Sequence, residues 1–99
     1  MKYVISWTTR ATGSEELQAR SLQVFSSWSP AEGANFLQFL SRIDGRGGYA
    51  VVETEDPTLI AKDMSTFGPF FEFHVHPVLE IQEGAQLGMQ AIDFRNSIR

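Results

Sequence analysis

Hydrophobic and polar residues follow two different periods along this chain. Residues 2–9, 49–54 and 70–80 are rich in β-branched and aromatic residues that alternate between two faces, which predicts β-strands. Elsewhere apolar residues recur three, four, seven or eleven positions apart, which predicts amphipathic helices. The three helical stripes consist of Leu17, Val24, Phe25 and Trp28; of Ile60, Met64 and Phe67; and of Leu87, Ala91, Phe94 and Ile98. The pattern predicts an α+β protein.

Two helix starts carry sequence signals. Asp56-Pro57 predicts the start of the second helix, because Asp accepts a backbone N–H as N-cap and Pro at the first helical position loses no hydrogen bond. For the first helix two starts are open: Ser14 as a simple N-cap, or Thr12 with Glu15 as a capping box.

The ends of the later helices are also marked. Gly68-Pro69 predicts the end of the second helix, with the glycine in the left-handed conformation. A third helix is predicted after Gln82. It contains Gly84 and Gly88, each of which lowers helix stability by about 1 kcal/mol relative to Ala. We therefore expect this helix to depend on packing.

The stretch 35–44 lacks clean alternation, and both a helix and a strand fit it. A strand fits better, because the glycine-rich turn at 45–48 joins it to the next strand as a hairpin. The predicted order is then βαββαβ followed by a helix, which is the ferredoxin-like arrangement. With 99 residues, one domain over residues 1–99 is expected.

The strand over 70–80 carries both histidines of the chain, and its two faces differ. Strand side chains alternate, so one face is predicted to be core and the other carries titratable groups. Pro77 predicts an edge strand or a bulge, because proline cannot donate a ladder hydrogen bond. The core face comprises Phe71, Phe73, Val75, Pro77 and Leu79, and the other face Phe70, Glu72, His74, His76 and Val78.

Composition excludes several classes of function. A net charge of −4 with scattered Lys and Arg argues against nucleic-acid binding. The chain has no cysteine, so it has no disulfide, thiol nucleophile or thiolate metal site. No stretch approaches the roughly 20 apolar residues of a membrane helix, and the first residues lack a signal-peptide core. We expect a soluble cytoplasmic protein.

Three segments of the chain form a recognisable set: Met1-Lys2-Tyr3 through Trp7, Gly48 to Glu53 leading into Asp56-Pro57, and Phe73 to Leu79. Together they resemble an uncharacterised bacterial family of about this length in the dimeric α+β barrel superfamily. The motifs that carry the resemblance are structural, and none is catalytic. The resemblance implies a ferredoxin-like subunit whose homodimer encloses one cavity per subunit. In that superfamily such cavities serve cofactor-independent monooxygenases, isomerases, cyclases, haem enzymes and ligand binders.

The histidines admit three interpretations. His74 and His76 lie about 6.7 Å apart on one strand face, so they could share a metal ion, but Glu72 is too far from His76 for all three to converge. They could instead lie at a dimer seam or cavity wall. As a third possibility, His74 or His76 acts as an acid or base, with Glu72 stabilising the protonated form. The resemblance assigns no role to either histidine.

Five residues are candidates for a ligand site: Glu72, beside the histidines, and four residues on other strands. Trp7, Phe39 and Tyr49 are strand aromatics, which more often belong to the core but would favour flat, apolar ligands if they faced a cavity. Arg42 could bind a carboxylate or phenolate, although an ion pair with Glu53 or an edge position fits its place on a strand better.

Two function classes follow from these residues, and no cofactor is expected for either. One is a small-molecule binding protein for an apolar or aromatic ligand. The other is a cofactor-independent enzyme that uses His74 or His76 in the barrel cavity. A purely structural homodimer is the third possibility. In each case the apolar area of the second sheet face predicts a partner copy that covers it.

Overall fold

The computed structural model describes residues 1–10 and 14–98, and it contains one four-stranded antiparallel sheet with three helices. The strands lie in the order β2-β3-β1-β4. This arrangement confirms the predicted α+β, ferredoxin-like fold with an extra C-terminal helix. The elements are β1 Lys2–Thr9, α1 Glu15–Ser27, β2 Asn35–Ser41, β3 Gly47–Glu53, α2 Thr58–Phe67, β4 Phe71–Val78 and α3 Ile81–Ser97.

One face of the sheet, the covered face, packs against α1 and α2. Ile5 of β1 and Val52 of β3 are fully buried there, and Ala50 lies opposite Ile5 in the sheet register. Ile60 of α2 packs on these residues. Burial of these apolar side chains away from water is the main favourable term for this half of the molecule. The other face, the open face, is not covered by α1 or α2.

The predicted edge position of β4 is confirmed. The strand lies at the edge of the sheet and pairs only with β1 among the described strands. Phe73 lies opposite Trp7 on the covered face, whereas His74 and His76 lie on the open face. The prediction of a core face holds only for Phe71 and Phe73, which are partly buried. It is wrong for the residues further along, since Val75, Pro77 and Leu79 are exposed.

The segment over residues 35–44 is a strand, but it ends at Ser41, three residues earlier than predicted. Beyond it, Arg42 N–H donates to the Gly47 carbonyl and Gly45 N–H donates to the Arg42 carbonyl. These bonds form a turn in which Gly45 and Gly47 have φ values of 72° and 151°, a region that side chains avoid. Hydrogen bonds within this turn, rather than a longer β-ladder, therefore satisfy the backbone groups that follow β2.

Ser14 caps α1, and its hydroxyl accepts a hydrogen bond from Leu17 N–H at 3.2 Å. The alternative cap at Thr12 falls on residues 11–13, outside the described residues. At the start of α2, Asp56 Oδ1 accepts hydrogen bonds from the Thr58 N–H at 3.0 Å and the Thr58 hydroxyl at 2.6 Å. Pro57 already has a helical φ of −65°. Both predicted starts are thus confirmed within one residue.

The predicted left-handed end of α2 is wrong. Gly68 has φ −51° and ψ −40°, so it continues the right-handed turn, and its N–H donates to the Ser65 carbonyl. Phe70 N–H then donates to the Phe67 carbonyl at 2.9 Å. A right-handed turn through Pro69 is possible because proline has a fixed φ near −65°.

Helix α3 has no buried residue, and every described side chain along it is exposed. It begins at Ile81, two residues before the predicted start, and extends the molecule to 63 Å in its longest dimension. The radius of gyration is 17.9 Å, against roughly 13 Å for a compact chain of this length. Neither α3 nor another helix within residues 1–10 and 14–98 has the length and apolarity needed to cross a membrane.

We predict that the cap at Asp56 makes stability depend on pH in the acid range. The hydrogen bonds from Thr58 hold the pKa of the Asp56 carboxyl below its ordinary value of 3.8. A carboxyl with a lowered folded pKa stabilises the protein above its unfolded pKa, and that contribution disappears as the pH falls through the folded pKa.

The measurement is urea unfolding of the wild type and Asp56→Asn at several pH values. Asparagine keeps an N-cap oxygen but does not titrate. The wild type should exceed Asp56→Asn in stability most clearly near pH 6, and the difference should shrink below about pH 4. A difference that stays constant down to pH 2 would contradict this assignment.

Candidate functional site

Aromatic side chains fill the space between the covered face and the helices. Trp7 and Phe39 meet edge to face with ring centroids 5.5 Å apart, and Trp28 meets Phe67 in the same way at 5.3 Å. Such geometry places the positive ring edge against the negative ring face. We call this group the aromatic cluster; it comprises Trp7, Phe25, Trp28, Phe36, Phe39, Phe67, Phe71 and Phe73.

The position of Trp7 depends on Gly48, which lies opposite it in the sheet. A Cβ atom at Gly48 would lie 2.5 Å from Trp7 Cζ2 and 2.2 Å from the Leu40 carbonyl oxygen. Both distances are shorter than any real contact of a Cβ atom. Because Gly48 has no side chain, the Trp7 indole can occupy the space above Gly48 on the neighbouring strand.

The position of Trp28 depends on Asp63, a carboxylate that is only 3% exposed. Its oxygens accept hydrogen bonds from Ala31 N–H at 3.1 and 3.2 Å, and Oδ1 accepts one from Trp28 Nε1–H at 3.4 Å. A buried carboxylate is tolerated when such donors satisfy it. Asp63 thus joins α2 to the segment after α1 and fixes the indole in the aromatic cluster.

A cavity lies within the aromatic cluster, with an open volume of about 50 Å³. Its walls are aromatic or aliphatic throughout. Phe25 and Phe39 at the outer side of the cluster are about half exposed, at 47% and 45%. Phe39 is therefore the wall residue closest to water. We call this the aromatic cavity; it is lined by Trp7, Trp28, Phe36, Phe39, Ala50, Met64, Phe67, Phe71 and Phe73.

A second, larger cavity of about 810 Å³ adjoins the first, because Phe71 lines both. We call it the cationic cavity, since Arg10, Arg42 and Arg46 line it. Arg10 Nε donates to the Gly68 carbonyl at 2.9 Å. The rest of the polar wall comprises one acidic residue, Glu15, and the hydroxyl and amide groups of Thr8, Thr9, Ser14, Gln18 and Ser21.

The charge in the cationic cavity is partly balanced by Asp44. Its carboxylate accepts a hydrogen bond from Arg46 N–H at 3.0 Å and forms an ion pair with Arg42 at 2.5 Å. The backbone hydrogen bond of Arg46, and then the Arg42 guanidinium, hold the pKa of Asp44 below its usual range. The guanidinium of Arg46 makes no ion pair with any described residue.

The structure separates the residues that the sequence singled out into three places. Trp7 and Phe39 lie together in the aromatic cavity, and Arg42 lies in the cationic cavity. Tyr49 is on the open face, opposite Ser6 and 47% exposed. The remaining three, Glu72, His74 and His76, are exposed on the open face of β4.

On the open face, Glu72 Oε1 lies 3.6 Å from His74 Nε2, so this predicted pair forms. His76 is two residues further along the strand and shares neither atom of that contact. Within residues 1–10 and 14–98, no three side chains of the metal-binding types come together as a metal site. The whole sheet lies between these histidines and the aromatic cavity.

The predicted ion pair of Arg42 with Glu53 is wrong. Arg42 follows the end of β2, next to the turn that contains Asp44. Glu53 is at the far end of β3, where it pairs with Asn35 at the start of β2. The length of the strand separates the two groups, and the local carboxylate two residues away takes the guanidinium instead.

The model of one protein family matches residues 1–92, which covers every strand and most of α3. The chain belongs to the DUF3303 family, described as a domain of unknown function. No curated protein matches the chain. The family assignment thus places the aromatic cavity, the cationic cavity and the open face of this DUF3303 chain inside the family's own domain.

Several site residues of this DUF3303 chain were missed by sequence reasoning. Trp28 and Phe67 were predicted only as members of helical stripes; Phe67 is buried, Trp28 is partly buried, and both line the aromatic cavity. Asp63 carried no signal, because a single Asp on a helix usually faces solvent. Arg46 lies in the same turn as Arg42, whereas Arg10 follows β1, so only the fold brings Arg10 to the other two.

We predict that Asp63→Ala destabilises the protein by about 1–3 kcal/mol, the penalty for buried donors left without an acceptor. Asp63→Asn keeps one acceptor oxygen and should cost clearly less. Urea unfolding of both variants measures the difference. If the two variants were equally stable, the hydrogen bonds to Ala31 and Trp28 would not be what holds this corner together.

Proposed function

We propose that this protein binds a small, flat, apolar or aromatic molecule, of which the ring system enters the aromatic cavity. The observation that carries this proposal is the lining, which is wholly aromatic or aliphatic and shares Phe71 with the neighbouring cationic cavity. Ligand sites commonly combine an apolar wall with a few polar groups that fix orientation. A carboxylate or phenolate on the ligand could then form an ion pair with an arginine of the cationic cavity, which is lined by Arg10, Arg42 and Arg46.

The aromatic cavity must widen for such a ligand to enter. Its open volume of about 50 Å³ is far below the roughly 300–1,000 Å³ of typical ligand sites. Phe25 and Phe39 are half exposed, so they can rotate outwards with little loss of buried area. The ring system would then take their place against Trp7, while the polar end occupies the larger cationic cavity.

The proposal includes a homodimer of the dimeric α+β barrel type. Its support is the open face, on which Leu40 and Tyr49 are about half exposed and lie beside Val51 and Val4 in the sheet register. A contiguous apolar area of this kind is typical of an interface. The cytoplasmic compartment expected from the sequence, and the bacterial origin implied by the resemblance, stay predictions.

We predict that 2-naphthoate binds this protein and shifts the indole N–H signals of both tryptophans in NMR spectra, because Trp7 and Trp28 both line the aromatic cavity. Ala50→Val fills part of the cavity and should weaken binding by roughly tenfold or more, about 1.4 kcal/mol. Ala61→Val, the same change on the exposed side of α2, is the matched control and should bind like the wild type.

The neutral analogue 2-naphthylmethanol separates the two cavities. If the arginines receive the acidic group, 2-naphthoate binds more tightly than the alcohol at low salt, and added salt reduces the difference. Equal loss of affinity in Ala50→Val and Ala61→Val, or no shift of either indole signal, would contradict the proposed site.

A second candidate function, a cofactor-independent enzyme, is supported by one contact. Glu72 Oε1 lies 3.6 Å from His74 Nε2, and an imidazole held beside a carboxylate is a common arrangement for acid–base catalysis. In that case the reaction takes place on the open face, enclosed by a partner copy. The aromatic cavity, on the other side of the sheet, would then have no part in the chemistry.

For this enzyme candidate, we predict that replacing His74 or His76 by Gln abolishes turnover or ligand binding at the open face while the fold is kept. Circular dichroism verifies the fold. Variants that still bind 2-naphthoate like the wild type, with unchanged indole shifts, would assign the ligand to the aromatic cavity. Loss of that binding in both variants would assign it to the open face.

A further inference from the structure

Helix α3 exposes a large apolar surface that nothing in its own chain covers. Its large apolar side chains are between 42% exposed, at Ile92, and 85% exposed, at Ile81. At 100° per residue, its apolar residues occupy an arc of roughly 220° around the helix, interrupted near the end by Arg95 and Asn96. The apolar arc consists of Ile81, Gly84, Ala85, Leu87, Gly88, Met89, Ala91, Ile92, Phe94 and Ile98.

An isolated helix of 17 residues is marginal in water even when its composition is favourable. This helix also contains Gly84 and Gly88, and no atom lies within 4 Å of the Cβ position of either. Glu80 at its N-cap provides no side-chain hydrogen bond to the helix. The helix therefore needs a surface to pack on, and the glycines in its apolar arc allow that surface to approach the backbone closely.

The open face offers a matching surface, and its two halves differ in chemistry. On β3, with the adjoining parts of β2 and β1, it carries four apolar side chains, beside which Gln38 and Ser6 are the polar neighbours. On β4 it carries Glu72, His74 and His76 instead. We call the apolar half the open-face strip; it consists of Leu40, Tyr49, Val51 and Val4, which are neighbours in the sheet register.

The chain connection disfavours the strip of the same subunit. Helix α3 starts only two residues after β4, which is the edge strand on the polar side of the open face. Glu80, just before α3, is tied to Lys2 at that edge by an ion pair. To reach its own strip, α3 would have to cross the charged side chains of β4. A second copy related by a twofold axis near β4 places its strip next to the helix without that crossing.

We propose that α3 of each subunit packs its apolar arc on the open-face strip of a second copy of this chain, and that the exchange is reciprocal. The inference rests on the homodimer of the proposed function and names the contact that forms it. A helix of this length is about 25 Å long and about 10 Å wide. Each contact then covers about 250 Å² on the arc and as much on the strip, so the two contacts bury on the order of 1,000 Å², close to the roughly 1,200 Å² at the lower limit of stable specific interfaces.

The first test is the oligomeric state by sedimentation equilibrium. Leu87→Asp with Phe94→Asp places two charges in the apolar arc and should raise the dimer dissociation constant roughly 100-fold or more. Gln86→Asp with Gln90→Asp adds the same two charges on the polar side of α3 and should leave the constant within about threefold of the wild type. Since no residue of α3 is buried in its own subunit, all four changes leave the sheet folded.

The outcomes separate this inference from the rest of the proposal. A wild type that is monomeric at all concentrations would contradict both the homodimer and the role of α3. A wild-type dimer that survives the changes in the apolar arc would overturn the role of α3 alone. Binding of 2-naphthoate by the monomeric variant would support a ligand site that is complete within one subunit.

The second test locates the contact, using the fact that the chain has no cysteine of its own. A chain with Leu40→Cys and Ala91→Cys is treated with a short bismaleimide. A covalent dimer supports the exchange. A link within one chain shows that α3 folds back on its own strip, and no link shows that α3 does not reach the strip; either result overturns the proposal. His74→Cys with Ala91→Cys, on the polar half, is the control and should not link.

Discussion

The packing of aromatic rings between one sheet face and two helices is the interaction on which the rest of this structure depends. Among the residues that the structure describes, only Ile5 and Val52 are large side chains with almost no exposure, so aliphatic residues alone make a small core. The edge-to-face contacts around Trp7 and Trp28 supply much of the remaining burial. One steric and one polar feature hold those indoles in place: the absence of a side chain at Gly48 for Trp7, and the carboxylate of Asp63 for Trp28.

The same arrangement leaves the open face of the sheet without a covering helix from α1 or α2. Helices α1 and α2 both lie on the covered face, and α3 leaves the sheet at its edge. An open face with apolar residues on one half and histidines on the other is then presented to water or to a partner. The ligand and the dimer interface of our proposals use opposite faces of one sheet, so each can be disturbed without the other.

Much of the fold could be predicted from the sequence, because it depends on local patterns. Alternation assigned both faces of β4, and the Asp56-Pro57 pair marked the start of α2. The hairpin turn was found, but its exact position was not, because hydrogen bonds of Arg42 with Gly45 and Gly47 end β2 early. The prediction of a left-handed end for α2 was wrong, because a glycine such as Gly68 permits that conformation without requiring it.

The site was less predictable, because it depends on contacts between distant segments. Trp7 and Phe39 were identified as candidates, but their partner Trp28 is fixed by Asp63, which is 35 residues away in sequence. The three arginines of the cationic cavity come from two separate loops. The histidines were the most conspicuous residues of the sequence, and the structure places them away from the aromatic cavity.

Amide hydrogen exchange in α3 tests the account most directly. Our account predicts that the amides of α3 are protected in the wild type at high protein concentration, because the apolar arc is packed on a second copy, and that this protection is lost on dilution while β1 and β3 stay protected. Amides of α3 that exchange as fast as those of an unstructured peptide at every concentration would contradict it.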